Sequence, residues 1–233
     1  MSTAGRTLMD ANRTCWGLLR RRSCLVPTWR GGLVLVLSSA LLLALVLQGV
    51  YPFLALSEPK PGGVLVIDGS SPRFVFEEGI AEFNRHHYDK VFVTGGPVEQ
   101  GGPLTIHKNH ADLGAAALLK LGMNGSVLQS VPALDVRQDR AYASAVALNQ
   151  WWRAHGMAPA SINLMSVGPS ARRSQLLFKR ALGKEVTVGV VALSPDDYDA
   201  PHWWRSSQGF RIVTGELIAY GYARAMFWKF RRA

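Results

Sequence analysis

From residue 64 onward, short runs of aliphatic residues alternate with segments whose apolar positions follow helical spacing. The first run, Val64-Leu65-Val66-Ile67, has four consecutive aliphatic side chains. Such a run is typical of a strand that is covered on both faces, as in a parallel sheet. The pattern predicts strands at residues 64–69, 91–96, 127–131, 162–167 and 186–193, and helices at 74–88, 106–121, 172–182, 209–230 and in a segment that ends near 155.

Strands that alternate with helices in this way predict an α/β fold. We expect a Rossmann-like, doubly wound and mainly parallel sheet of about five strands, joined by right-handed crossovers. This domain would occupy residues 64–233 and include the C-terminal helix. Residues 57–63 are rich in proline and glycine, so they are interpreted as a linker.

A longer apolar segment precedes the linker. Residues 31–56 contain no charged side chain, and within 33–47 only Ser38 and Ser39 interrupt the aliphatic sequence. A helix needs about 20 apolar residues to cross a bilayer, so the segment predicts one N-terminal transmembrane anchor in contact with lipid. A signal peptide cleaved near the small residues at 55–57 is the alternative, but its apolar region is normally shorter.

The formal net charge of +10 is unevenly distributed. Residues 1–30 form a basic tail with six arginines and one aspartate, a local net charge of +5. Basic residues before a membrane span predict a cytoplasmic N-terminus, with the main domain on the other side of the membrane. No basic stripe with interleaved aromatic residues follows, so we expect no nucleic-acid partner. Cys15 and Cys24 both lie in the tail, so the main domain has no disulfide.

The most informative stretch for function is residues 161–174, which predicts a strand, a Gly-Pro-Ser turn and the start of a helix. In an open α/β sheet, ligands bind beyond the carboxyl ends of the strands, where helix N-termini attract anions. Arg172 and Arg173 in the first helical turn oppose the helix dipole, so they need another role. They either make surface salt bridges or bind a phosphate or carboxylate. The predicted ligand-binding residues at this edge are Asp68, Gly69, Gly95, Gly96, Gly168, Ser170, Arg172, Arg173 and Ser174.

The residues at this edge do not indicate one kind of chemistry. Ser170 and Ser174 are candidate nucleophiles of a hydrolase, but the G-x-S-x-G pattern of such enzymes is missing. Asp68 either points into the crevice or bonds to the backbone of its own turn. His107 and His110 are three residues apart, but without a third ligand they predict no metal site. No dinucleotide or nucleotide motif is present, so the sequence indicates no particular cofactor and no catalytic residue.

The C-terminal part adds aromatic residues. At least one member of the Trp203–Trp204 pair is expected to pack in the core, and Glu216, in an apolar helical run, is expected to be buried against an arginine. The end of the last helix combines aromatic and basic residues in the manner of a membrane-interface belt. These belt residues are Met226, Phe227, Trp228, Lys229, Phe230, Arg231 and Arg232.

Five sequence blocks, VLVIDG, VFVTGGP, DRAYASA, GPSARRSQLLFKRALG and HWWRSSQGFR with GELIAY, occur in this order. Over about residues 63–223 the chain resembles the YdcF-like family, which includes the ElyC and SanA envelope proteins. The resemblance implies a Rossmann-like domain, often behind one membrane helix, and a link to cell-envelope integrity and wall or surface-glycan biogenesis. It implies no settled reaction. Gly95 and Gly96 match the family's glycine pair, and Arg173 matches its arginine after the fourth strand.

The chain also departs from the family. Ser170 stands where many members have a histidine, and Ala143-Ser144 stands where they have a Glu-Asn pair, which puts catalysis in doubt. We therefore expect a single-pass protein of the bacterial plasma (inner) membrane that binds an anionic small molecule or a lipid-linked glycan. A hydrolase or transferase acting on such a ligand and a non-enzymatic scaffold remain the alternatives.

Overall fold

A computed structural model describes residues 13–14, 19–20, 28–98, 106–136 and 139–229, with the backbone alone for 226–229. The chain divides into two compact units, one up to Ala44 and one from Leu45 onward. Most of the basic tail, both cysteines and the side chains of the predicted C-terminal belt lie outside the described residues. In the tail, Arg13–Thr14 pairs with Leu19–Arg20 in a two-residue antiparallel ladder.

The first long helix, α1, spans Trp29–Leu54 and contains 26 residues. At 1.5 Å per residue it is about 39 Å long, and the hydrocarbon core of a bilayer is about 30 Å thick. Within the part of the chain that the structure describes, α1 is the one helix long and apolar enough to cross a membrane. The predicted apolar helix is therefore present, although it begins and ends two residues earlier.

The domain is built on a five-stranded, all-parallel sheet in the order β3-β2-β1-β4-β5. Its central strand β1 pairs with β2 on one side and with β4 on the other, so that Val66 lies between Phe92 and Leu164. This confirms the predicted α/β class. The strands are β1 (Val64–Asp68), β2 (Lys90–Gly95), β3 (Leu128–Pro132), β4 (Ser161–Val167) and β5 (Thr187–Leu193).

Helices cover both faces of the sheet. Alternate side chains of β1 enter two different cores: Val64 and Val66 pack in one that includes Trp152, and Leu65 and Ile67 pack in another. A strand that is buried on both faces explains the unbroken aliphatic run in the sequence. The helices are α2 (Arg73–Arg85), α3 (His110–Lys120), α4 (Arg140–Ala154), α5 (Ala171–Leu182) and α6 (Ser207–Lys229), with 3₁₀ turns at Gly125–Val127, Gly168–Ser170 and Ala200–Arg205.

The last turns of α1 pack within the same compact unit as the domain. Leu54 is fully buried, and Trp203, which is 3% exposed, donates a hydrogen bond from Nε1 to the Leu47 carbonyl at 3.0 Å. The rings of Phe53 and Tyr220 of α6 meet edge to face. Trp203 is thus the core residue expected from the tryptophan pair.

The segment predicted as a linker is held against the sheet. The backbone of Glu58 exchanges two hydrogen bonds with Val190 of β5, at 2.8 and 3.2 Å. The fully buried Asn163 of β4 bonds to both the N–H and the carbonyl of Lys60, each at 2.7 Å. Residues 57–63 therefore join the domain as an edge segment along β5.

Candidate functional site

The strand order places a crevice where sequence reasoning expects one. The chain runs from β1 outward to β3, then returns to the other side of β1 as β4, and ligand sites of open α/β sheets lie at such a reversal. A groove of about 520 Å³ opens at the carboxyl ends of β1 and β4. Nine of its thirteen lining residues are polar, which suits a hydroxylated or charged ligand: Asp68, Ser70, Ser71, Asp139, Arg140, Ser166, Ser170, Arg173 and Ser174.

Asp68 ends β1 and lines the groove. Its Oδ1 atom accepts hydrogen bonds from the Ser70 backbone N–H at 2.8 Å and from the Ser70 hydroxyl at 2.7 Å. An aspartate at the end of a strand commonly bonds to its own turn in this way. Asp68 therefore fits both interpretations of the sequence: it bonds to its own turn, and it lines the groove.

Two of the predicted glycines have a packing role. A Cβ atom on Gly69 would lie 1.9 Å from the His110 carbonyl oxygen, and one on Gly95 would lie 2.7 Å from the His110 Cβ. The two glycines therefore allow α3 to begin directly against the ends of β1 and β2. Gly69 lines neither the groove nor the smaller recess beside it.

A recess of about 30 Å³ adjoins the groove, with room for about one water molecule. Gly95, Gly96, Asp68 and His110 line it. Within the described residues, the buried Nδ1 atom of His110 has no hydrogen-bond partner. The sequence predicts no metal site at His110 and assigns it no catalytic role. The described residues contain no group of three or more potential ligands that could hold a metal ion.

Ser170 lies in the turn that follows β4. Its Oγ donates to the Val167 carbonyl at 2.8 Å, which leaves it to accept from the Ser166 hydroxyl, also at 2.8 Å. A nucleophilic serine needs a general base within reach. The partners of Ser170 are a carbonyl and a hydroxyl, and neither is such a base.

Gly168 opens the same turn with φ +47°, a left-handed conformation that favours glycine. A Cβ atom there would lie 3.1 Å from the Tyr51 hydroxyl of α1 and 3.5 Å from that of Tyr198. Gly168 is buried against these tyrosines and does not line the groove. The turn that contributes Ser170 is therefore packed against the end of α1.

The two arginines of α5 lie in different surroundings. Arg172 donates from Nε to the Phe53 carbonyl, and its guanidinium lies over the Phe53 ring at 4.1 Å, so it secures the end of α1. Arg173 lines the groove but also makes a two-bond contact with Glu216 of α6, at 2.7 and 2.9 Å. The structure thus gives both arginines partners within the protein.

The Arg173–Glu216 pair is mostly shielded from water, with side-chain exposures of 25% and 19%. The hydrogen bonds that Arg173 donates to Glu216 raise the pKa of Arg173 above its ordinary value, although burial acts in the opposite direction. Because the guanidinium has a carboxylate partner, its place at a helix N-terminus needs no bound anion. The expectation that Glu216 is buried against an arginine is confirmed, and the role of Arg173 as a ligand contact stays a prediction.

Several residues of the groove are not among the predicted site residues. Arg140, the first residue of α4, lines both the groove and the recess, and Asp139 before it has φ 54° and ψ 47°. Non-glycine residues in this left-handed conformation are uncommon and cluster at functional sites. A basic residue that opens a helix after a strand is the signal that drew attention to Arg173, and the same signal would have found Arg140.

The crevice brings together some of the predicted site residues and separates others. Asp68, Ser170, Arg173 and Ser174 line the groove, and Asp68, Gly95 and Gly96 line the recess, whereas Gly69, Gly168 and Arg172 contact other parts of the fold. No protein-family model matches the chain, and no match was found among curated proteins or solved structures. The YdcF-like resemblance therefore stays a prediction.

Proposed function

We propose that this chain is a membrane-anchored protein of the bacterial cell envelope, similar to the YdcF-like family, that binds an anionic or glycan-lipid ligand in the groove between β1 and β4. The groove's lining is the main support. Hydroxyls from Ser70, Ser71 and Ser174 suit a polyhydroxylated group, and the guanidinium of Arg140 suits a phosphate or carboxylate. A role in cell-wall or surface-glycan biogenesis follows only from the resemblance.

The contact of the turn that contains Ser170 with the last turns of α1 favours a ligand attached to a lipid. Ser170 lines the groove, and Gly168 of the same turn packs against Tyr51 of α1. With α1 in the plasma membrane and the basic tail in the cytoplasm, this edge of the domain would stand next to the outer leaflet. A headgroup could then reach the groove while its lipid tail stays in the bilayer.

An enzyme acting on such a ligand is the second candidate. The observation that favours it is His110, which lines the recess together with Asp68 and whose buried Nδ1 atom is unpartnered among the described residues. Histidine is the residue that most often serves as a general acid or base in enzymes. The binding function does not depend on this chemistry.

Co-purification with a charge variant tests the binding function. The full chain, extracted from the membrane in mild detergent, should retain an anionic lipid or glycan-lipid that mass spectrometry detects. Arg140→Gln should reduce the retained amount about tenfold or more, since a lost charge-assisted hydrogen bond is worth about 1.5–3 kcal/mol. Arg153→Gln is the matched control, because Arg153 is an exposed arginine in the last turn of the same helix.

The control should retain as much ligand as the unsubstituted chain. Equal retention by Arg140→Gln and Arg153→Gln would contradict the proposal, as would a preparation of the natural chain with no bound anionic ligand. Melting temperatures of both variants, measured beside ligand retention, separate a loss of binding from a loss of folding.

A further inference from the structure

The outward side of α6 is unusually apolar for a surface helix. Four large apolar side chains on it are exposed: Phe210 (52%), Leu217 (39%), Ile218 (73%) and Tyr222 (51%). Ile218 and Tyr222 lie on the side opposite the buried Val213 and Ala223, and Phe210 and Leu217, three and four residues from Val213, lie at the edge of that side. We call this side the outward face of α6. A helix that is apolar on both sides needs a second apolar environment.

The charged residues of α6 indicate which apolar environment would suit its outward face. Among its described side chains, the only acidic residue is Glu216, which is held by Arg173. The other charged residues are Arg211 and Arg224, both exposed. An exposed apolar face with flanking cationic residues is typical of helices that lie in the interface of a membrane with anionic lipids.

The outward face also adjoins the end of α1. Trp203 bonds to the Leu47 carbonyl of α1 and stacks on Phe210 with ring centroids 5.9 Å apart. On α1, Leu45 is 59% exposed and Val46 is 48% exposed. Trp203 therefore connects the last turns of α1 with Phe210 of the outward face.

We propose that the outward face of α6 rests in the interfacial layer of the membrane that α1 enters. The outward face of α6 would then be in contact with lipid. A second copy of the chain is disfavoured because Arg211 and Arg224 would approach their own counterparts or an equally cationic surface. The inference goes beyond ligand binding, but it rests on the membrane anchor of the proposed function.

This contact would also orient the groove. Glu216 of α6 bonds to Arg173, which lines the groove, so the helix that touches lipid and the wall of the site are joined by one ion pair. An α6 seated on the membrane would thereby hold the groove at a fixed distance from the lipid headgroups.

Spin-label accessibility in nanodiscs tests the proposal. The full chain, with Cys15→Ser and Cys24→Ser, is labelled at one new cysteine, Ile218→Cys or Tyr222→Cys on α6. Gln150→Cys, at an exposed position of α4, is the matched control, and Leu42→Cys reports on α1. The nanodiscs contain phosphatidylcholine with phosphatidylglycerol. At positions 218 and 222, relaxation by oxygen, which concentrates in lipid, should exceed relaxation by a polar nickel chelate, and at position 150 the order should reverse.

Each other outcome overturns the proposal in a distinguishable way. If positions 218 and 222 behave like position 150 while position 42 lies in lipid, α6 does not touch the membrane and the anchor is unaffected. If the label at position 42 is also relaxed more by the nickel chelate than by oxygen, α1 does not lie in the membrane and the proposed anchor is wrong. Low accessibility to both reagents at position 218, with dipolar broadening between labels, would show that a second copy covers the face.

Discussion

The amino and carboxyl ends of the sheet differ in how completely their buried polar groups are hydrogen-bonded. At the amino end, the fully buried Asn163 has both halves of its amide bonded to Lys60, and the Tyr88 hydroxyl donates to Glu82 at 2.9 Å. At the carboxyl end, Asp139 has a left-handed backbone and His110 Nδ1 lacks a partner among the described residues. The polar groups named at the amino end are paired within the fold, whereas the carboxyl end combines an uncommon backbone conformation with an unpaired buried nitrogen.

This contrast supports the carboxyl end as the place of the proposed site. Buried polar groups are nearly always paired. The described residues include three exceptions, the Nδ1 atom of His110, the Nε1 atom of Trp152 and the hydroxyl of Tyr198, and of these residues only His110 lines the recess. The contrast also predicts that substitutions at the two ends have different effects: loss of stability at the amino end, and loss of binding at the carboxyl end.

The largest effect should come from Asn163→Leu. The substitution removes two hydrogen bonds and leaves the Lys60 N–H and carbonyl unpaired, at roughly 1–3 kcal/mol per buried group. We expect a loss of about 3 kcal/mol and a fall in Tm of roughly 6–12 °C for a unit of this size. Thermal melts of the detergent-solubilised chain followed by circular dichroism would measure it.

Ser144→Ala is the control at the carboxyl end, because Ser144 is also buried, at 5% exposure, and lines the recess. It should cost less than about 1 kcal/mol. Equal losses for the two variants would remove the proposed difference between the ends of the sheet.

The next effect concerns the Arg173–Glu216 pair. A double-mutant cycle with Arg173→Gln and Glu216→Gln should give a coupling of about 1–2 kcal/mol, between the values for exposed and fully buried ion pairs. Arg173→Lys should lose part of this coupling, since lysine cannot form the two parallel bonds. Urea unfolding of the four cycle members and of Arg173→Lys would measure it.

The same variants separate the two roles of Arg173. If Arg173 also contacts the ligand, Arg173→Lys reduces ligand retention more than Glu216→Gln does at a similar loss of stability. Equal retention by these two variants would make Arg173 a structural residue only.

A smaller effect distinguishes two tyrosines. Tyr88→Phe removes the hydrogen bond to the buried Glu82 and should cost about 1 kcal/mol. Tyr198→Phe should be neutral or stabilising, because the buried Tyr198 hydroxyl has no partner in the described structure. Denaturant melts would compare the two, and a larger loss for Tyr198→Phe would contradict the hydrogen-bond pattern.

The smallest effect appears only at alkaline pH. Burial raises the pKa of both Tyr88 and Tyr198 above the usual value of about 10. The folded protein keeps these phenols protonated while the unfolded chain releases their protons, so stability should be constant below pH about 10 and fall above it. Ultraviolet titration should show that the two phenols ionise only as the protein unfolds. Ionisation near pH 10 in the folded state would contradict this.

Local patterns predicted the fold well because its determinants are local. An unbroken aliphatic run marked β1 and mostly apolar runs marked the other strands, and α5 ends at Leu182, as predicted, before Gly183 with φ +80°. The apolar run before the linker predicted α1 to within two residues at each end. A strand that is buried on both faces and a helix long enough to span a bilayer both require continuous apolar sequence. Such sequence can be recognised without knowing which elements pack against it.

The site was harder to predict because its contacts join distant parts of the chain. Glu216 was expected against an arginine, but only the fold shows that this arginine is Arg173, 43 residues away. Arg172 is 119 residues from Phe53, and nothing in their spacing indicates the contact. Glycine-rich strand ends likewise gave no sign that Gly69 and Gly95 face the start of α3.

Photo-crosslinking at two matched serines would test the central claim most directly. Ser70 and Ser126 are both exposed, and each N–H bonds to a side chain two residues earlier, but Ser70 lines the groove and Ser126 precedes β3 at the amino end. A small photoreactive side chain replaces each serine in turn in growing cells, and adducts are identified by mass spectrometry. We predict an anionic lipid or glycan-lipid adduct at position 70 and none at position 126. Equal adducts at both positions, or none at position 70, would contradict the account.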